Sequence, residues 1–208
     1  MKGFFNYLKF CSYSVFYIFK HYNALDDETV RRWAFEVVKM FNIDVKVKGF
    51  IYDKRFVLLP NHESYFDIIA LYVAIPQKLH WLAKKELFDI PFLGRALKKL
   101  NVSGINRNDP IDAAKGLIRL LKNFDEGGVV IFPEGSRRNK QLKDGGAVAA
   151  KKKKLPIYPV KIINTNKVMP AGKPVLYSHP VEVIVCEKIK PELDIDKIKQ
   201  KVEDCLYG

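Results

Sequence analysis

The chain has 208 residues, 48% hydrophobic and 12% aromatic, enough apolar matter for one full core and too much for a disordered segment. Lys and Arg outnumber Asp and Glu by 36 to 23, and the formal net charge of +13 requires an anionic partner: nucleic acid, an anionic membrane surface or a phosphorylated small molecule. Cys11, Cys186 and Cys205 lie far apart with no Cys-x-x-Cys or Cys/His cluster, which argues against a zinc site and a disulfide framework and fits a reducing cytosolic setting, each thiol packing as a small hydrophobe.

In chain order, the first feature is an apolar stretch at residues 10–19, flanked by Lys9 and Lys20. Its length is about half of what a helix needs to cross a bilayer. No small-residue cleavage site follows, so a secretory signal peptide is not expected. As a helix it carries an apolar stripe of Phe4, Leu8, Cys11, Val15 and Ile18, thickened by Phe5, Phe16 and Phe19; Lys2, Asn6, Lys9, Tyr13, Tyr17 and Lys20 line another face. A second helix starts at Asp26, with Asp27 and Glu28 in a first turn that favours negative charge. Its stripe is Val30, Trp33, Ala34, Val37, Val38 and Phe41, with Arg31, Arg32 and Lys39 off that face. Two such helices predict an in-plane membrane-binding element over residues 1–43, the alternative being that both stripes pack on the core.

From Val45 onward strand-like and helix-like segments alternate. Strands are expected at residues 45–50, 56–59, 79–83, 101–105, 129–132, 157–163 and 181–185. Helical spacing appears near 67–74 and 92–100, and Asp109-Pro110 opens a helix that turns Ala114, Leu117, Leu121 and Phe124 inward. This alternation predicts an α/β fold, a largely parallel sheet flanked by helices, over residues 44–208. His62 follows one strand, Lys84 and Lys85 a second, Asn106 and Arg107 a third, and Glu134 to Arg137 a fourth. In open α/β sheets ligands bind beyond the carboxyl ends of the strands. A base, several cations and a carboxylate on one rim suit a substrate with a nucleophilic hydroxyl beside a phosphate.

Within that rim, Asn61-His62-Glu63-Ser64-Tyr65-Phe66-Asp67 joins a potential base to a carboxylate. On an unbroken helix the two would lie about 140° apart, so the chain must turn at His62 and enter a helix just beyond it. About seventy residues on, Phe132-Pro133-Glu134-Gly135-Ser136-Arg137 follows a strand. Taken together, these segments resemble the glycerolipid acyltransferase family. Asn61, His62 and Asp67 match its Asn-His-x4-Asp motif, and residues 132–137 match Phe-Pro-Glu-Gly-Thr-Arg with Ser136 in place of Thr. Lys85, Phe88 and Arg95 fit a Lys-x2-Phe-x6-Arg pattern, Gly104 and Arg107 a Gly-x-x-Arg element, and residues 155–160 a proline-bearing strand. The likeness covers roughly residues 44 to 190, and Lys143-Asp144-Gly145-Gly146 departs from the family's Lys-Gly pattern.

The resemblance implies transfer of a fatty acyl chain from acyl-CoA or acyl carrier protein to 1-acyl-glycerol-3-phosphate, giving phosphatidic acid, with no cofactor and no metal. Glycerol-3-phosphate or another lysolipid is the alternative acceptor, and a non-catalytic basic membrane or RNA binder the alternative class. His62 is then the general base and Asp67 its orienting partner. Glu134 and Gly135 would shape the acceptor site beside Ser136. Arg137 and Lys85 would meet phosphate, with Arg95 and Arg107 as further candidates. Ser64 and Ser136 lack a nucleophile elbow, so direct transfer is expected. His21, His80 and His179 read as structural. Lys151 to Lys154 meet donor or lipid phosphates, or simply end a helix beginning near Gly146. No nucleic-acid partner is expected, and the protein is placed at the cytoplasmic face of the cell membrane without crossing it.

Overall fold

The computed structural model describes residues 1–106, 109–122, 124–137 and 140–208. Among them, seven strands form one sheet: β1 (Val45–Lys48), β2 (Arg55–Pro60), β3 (Leu79–Lys84), β4 (Ser103–Ile105), β5 (Gly127–Val130), β6 (Ile157–Ile163) and β7 (Val181–Val185). Their order is β1-β7-β6-β2-β5-β3-β4, parallel at every pairing except β6 with β7. All seven expected strands are present; β5 stops at Val130, two residues before Phe132.

Side chains of a strand alternate between faces, and β2 shows what that does to a continuous apolar run. Phe56 and Leu58 enter one core with Phe66, Ile69, Leu71 and Val160; Val57 and Leu59 enter the other with Leu117, Leu121, Ala150 and Ile157. The first core lies under α2 (Asp27–Met40) and α3 (Phe66–Ala74), the second under α5 (Pro110–Lys122), α6 (Gly145–Lys153) and α8 (Ile195–Tyr207). Gly128 is what lets the Phe56 ring lie across β5, because a Cβ there would meet Phe56 Cε2 at 2.1 Å. The helix starts use the expected chemistry. Asp26 accepts the Thr29 N–H at 2.8 Å to cap α2, and Asp109 accepts those of Ile111 (2.9 Å) and Asp112 (3.2 Å) to cap α5.

Several expectations are corrected. The two N-terminal stripes part company. Ala34, Val37, Val38 and Phe41 of α2 are buried, so that stripe is core. In α1 (Lys2–His21) the buried side is Gly3 and Tyr17, with Tyr7, Phe10 and Tyr13 against the core, while Phe4, Phe5, Leu8, Val15, Phe16 and Phe19 face outward. Tyr13 and Tyr17, placed by sequence on the polar face, therefore make the contact. Tyr17 can do so because its hydroxyl reaches the Thr29 carbonyl at 3.1 Å.

Arg31, expected off the apolar face of α2, is buried beneath it. Its guanidinium donates to the carbonyls of Tyr72 (2.7 Å), Ile75 and Gln77 (2.8 Å), at and just past the end of α3, where the helix dipole and orphan carbonyls favour a cation. Cys186 and Cys205, expected as free thiols, form a disulfide that ties the residue after β7 to the last turn of α8, whereas Cys11 is free. Only the tertiary fold brings these two cysteines together, since 19 residues separate them in sequence. Helix α8 itself was not anticipated, although Ile198, Val202 and Leu206 bury at helical spacing behind Asp194. Among the described residues no helix is long and apolar enough to cross a membrane.

Candidate active site

β2 ends in Pro60, which has no N–H to continue the ladder, and the Asn61 side chain takes over the pairing. Its amide donates to the Ile162 carbonyl at 2.8 Å and accepts the Ile162 N–H at 2.6 Å, so Asn61 holds the turn to β6 rather than capping a helix. Ser64 then accepts the Phe66 N–H at 3.0 Å and donates to the Met169 carbonyl at 2.7 Å, which starts α3 and fixes its first turn.

The turn required by the His62–Asp67 spacing is present. Asp67 sits in the first turn of α3 and reaches back, with Oδ2 2.7 Å from His62 Nδ1. The same oxygen accepts the N–H groups of Glu63 (2.9 Å) and Ser64 (3.0 Å), and Oδ1 accepts the Thr165 hydroxyl. Asp67 is fully buried, and an unpaired carboxylate there would cost several kcal/mol. Four donors offset that cost and leave the side chain one position. With the carboxylate accepting at Nδ1, the neutral imidazole carries its proton there and presents a lone pair at Nε2.

The loop after β5 closes on this turn through three contacts. The Phe132 ring stacks on His62 with centroids 3.9 Å apart, Glu134 Oε2 accepts the His62 N–H at 2.9 Å, and the Arg137 guanidinium lies 3.7 Å from the Tyr65 ring centroid. Glu134 is 3% exposed, and its other oxygen accepts the Tyr207 hydroxyl from α8. Burial pushes the Glu134 carboxyl above its ordinary value, against those two hydrogen bonds, which favour the charged form. Gly135 adopts φ +70°, which favours glycine, and the Lys143 side chain lies beside it, its Nζ 3.0 Å from where a Cβ would sit. Arg137 Nη1 is buried with no hydrogen-bond partner among the described residues. A buried unsatisfied guanidinium N–H is rare enough to point at a ligand.

Beneath Phe132 a cavity of about 480 Å³ runs between α5 and α6, lined by Leu82, Ile105, Ala114, Leu117 and Gly146 and reached by Lys143. A larger one, about 700 Å³, opens at the amino ends of β3 and β4 among Lys78, His80, Asn101 and Arg119, and includes no residue of the two motif loops. The smaller cavity reaches the second loop at Phe132, Pro133 and Gly135, and Phe132 stacks on His62.

The sequence profile of the acyltransferase family matches residues 33–163, which hold both loops and strands β1 to β6. The chain belongs to that family. A Helicobacter pylori (strain J99) protein named 1-acyl-sn-glycerol-3-phosphate acyltransferase is 33% identical over 157 residues, 71% of this chain and 64% of that one. A chloroplast protein of the same name from Brassica napus is 30% identical over 165 residues, 74% of this chain and 47% of that one. The chain thus spans between about half and two thirds of these relatives' length. The crystal structure of the 1-acyl-sn-glycerophosphate acyltransferase from Thermotoga maritima shares the fold, with a TM-score of 0.76 at 22% identity over 98% of this chain and 91% of that one.

Within this acyltransferase domain His62, Asp67, Glu134, Gly135 and Arg137 are brought together. His62 itself is buried, at 7% exposure. Lys85 is exposed on the turn Lys85–Asp89 just past β3, and Arg95 is exposed on α4 (Leu93–Lys99). No hydrogen bond or ion pair among the described residues ties either to the dyad. Phe88 and Gly104 pack together, since a Cβ on Gly104 would lie 3.0 Å from Phe88 Cε2. Ser136 is exposed, and Arg107 lies outside the described residues. Asp144, the departure beside Lys143, pairs with Lys199 of α8 at 2.8 Å. Lys151 to Lys153 end α6, and Lys151 donates to the Leu193 carbonyl at 2.8 Å. Among the described residues no group of His, Cys, Asp and Glu could hold a metal ion.

Sequence reasoning missed Thr165 and Tyr207. Thr165 begins the short helix α7 (Thr165–Val168) just past β6, a fifth strand end on the same rim, and that position was its signal. Tyr207 carried none, because it reaches the site from the last turn of α8.

Proposed function

We propose that the protein transfers an acyl chain from an acyl thioester, of coenzyme A or acyl carrier protein, to the free hydroxyl of 1-acyl-glycerol-3-phosphate, giving phosphatidic acid. The observation that carries this reading is the His62–Asp67 pair locked against the Glu134 loop. His62 Nε2 takes the hydroxyl proton as the oxygen attacks the thioester carbonyl carbon. The imidazolium so formed is stabilised by Asp67, and it returns the proton to the thiolate that leaves. No acyl-enzyme is needed.

The orphaned Arg137 Nη1, with Lys143 against Gly135, supports a phosphate beside the base; Arg137 is a fork where a phosphate needs two bonds. The apolar cavity beneath Phe132 suits an acyl chain, whose burial is worth about 0.8 kcal/mol per methylene. Lys85 and Arg95, both exposed, suit the phosphates of the donor or of lipid headgroups. The outward row of α1, with Phe16 at 58% and Phe19 at 72% exposure, supports peripheral attachment to an anionic membrane, where the lysolipid resides.

The test is direct. Purified protein is incubated with lysophosphatidate, glycerol-3-phosphate and lysophospholipids of other headgroups, each with acyl-CoA or acyl carrier protein, and products are weighed by mass spectrometry. Lysophosphatidate should gain one acyl group with at least one donor. A product from glycerol-3-phosphate alone, or none from any acceptor, rejects the proposal.

A further inference from the structure

Helix α8 is fastened at several points where it meets the site. Ile198, Val202 and Leu206 bury in the second core, Lys199 pairs with Asp144, and Cys205 is bonded to Cys186. Two residues beyond Cys205, the Tyr207 hydroxyl donates to Glu134 Oε1. The other oxygen of that carboxylate takes the backbone N–H of His62. One rigid, two-ended group therefore connects the last turn of the helix to the residue that bears the base.

We propose that Tyr207 is a positioning residue for acyl transfer: acting through Glu134, it fixes the backbone of His62, and so the direction in which Nε2 points. The proposal rests on the acyltransferase reading and adds a part of the machinery outside the matched motifs, which end at residue 163. Glu134 is a poor brace alone, since a buried carboxylate with a single donor can rotate or take up a proton. With Tyr207 on one oxygen and His62 on the other, both its rotation and its charge are held. The groups that face this link are known from each side. His62, Glu63 and Asp67 come from the loop after β2 and the start of α3. Lys143 lies against Gly135, Lys140 stands over the Tyr207 ring at 5.7 Å, and Glu203 of α8 is near the hydroxyl. Burial, and after it the charges of Asp67 and Glu63, raise the Glu134 carboxyl, while the bonds from Tyr207 and His62 lower it, so loss of the tyrosine bond should move it further up.

Tyr207→Phe removes one oxygen and keeps the ring under Lys140, so the fold should be retained, with a modest fall in thermal stability from the lost hydrogen bond. The titration of Glu134, followed by NMR in protein carrying carboxyl-labelled glutamate, should move to higher pH in the variant. Turnover of lysophosphatidate should fall about tenfold, the scale of one hydrogen bond to a charged group, with KM values unchanged and the acid limb of the profile moved to higher pH. In a Glu134→Ala background, its fold checked by circular dichroism, the same substitution should change turnover no further, because its route of action is gone. An unchanged Glu134 titration, an effect on KM alone, or an equal loss in both backgrounds overturns the proposal. A wild-type protein that acylates no lysophospholipid rejects the acyltransferase reading instead, while the titration still reports on the link.

Discussion

Asp67 and Arg137 are charged groups on one rim, and the fold treats them in opposite ways. Around Asp67 the bonds a carboxylate can take are made: His62, two backbone N–H groups and Thr165. Around Arg137 the guanidinium is stacked on Tyr65, its position set, with one buried N–H left over. The difference follows from what each must do. A group that steers a base through a proton transfer has to keep one geometry, so the protein saturates it. A group that waits for an anion has to keep a donor in reserve, at some cost in stability.

The comparison is sharpened most strongly at its saturated end. Asp67→Asn leaves the shape but offers an amide where four donors converge, and it turns the wrong imidazole tautomer toward the acceptor. Acyl transfer should fall about 10²–10⁴-fold, read as initial rate against lysophosphatidate. A loss of only a few-fold would mean that His62 does not depend on this carboxylate. Thr165→Val removes one of the four donors while keeping the volume. About a tenfold fall in kcat with little change in KM is expected, and a change confined to KM would move Thr165 from the base to the substrate.

How far this was legible in the sequence differs along the chain for physical reasons. The run from Phe56 to Leu59 announced a strand buried on both faces, and His62 and Asp67 declared a turn because no straight helix could join them. Those signals are local. Arg31 and the two cysteines failed because a side chain's partner across the fold leaves no trace in its neighbours. The α2 stripe misled for a related reason. Hydrophobic periodicity identifies an apolar face without saying whether protein or something else covers it: the α2 stripe is buried in the core, while that of α1 faces outward and Tyr13 and Tyr17 make the packed side. Thr165 was within reach, since it lies just past β6, on the rim where His62, Lys85, Asn106 and Glu134 follow four other strands.

At the unsaturated end the expected effects are smaller. Arg137→Lys replaces a fork with a point charge and should raise the KM for lysophosphatidate several-fold, leaving that for the donor and kcat near wild type. The comparison breaks if an acceptor without phosphate suffers equally. Replacing Phe16 and Phe19 by Ser should weaken binding to anionic vesicles in flotation and slow acylation of embedded lysolipid. Acylation of a short-chain monomeric acceptor should be spared. Unchanged flotation would assign the outward face of α1 to something other than lipid.

The smallest effect is a slope. The folded state holds the Glu134 carboxyl above its unfolded value, so its contribution is fully present below the unfolded pKa and is lost as pH rises through the folded one. The stability of wild type relative to Glu134→Gln, from urea unfolding at successive pH values, should therefore decline across that window. A flat difference would show that the carboxyl is not raised.

The base itself decides the account. His62 is buried beneath Phe132, so His62→Ala opens a gap and His62→Gln serves as the better-filled companion; circular dichroism confirms the fold of each. Single-turnover transfer from thioester to lysophosphatidate should fall about 10²–10⁴-fold in both variants. Retention of more than about a tenth of the wild-type rate in either folded variant would contradict the assignment of His62 as the base, because positioned general bases contribute far more than that.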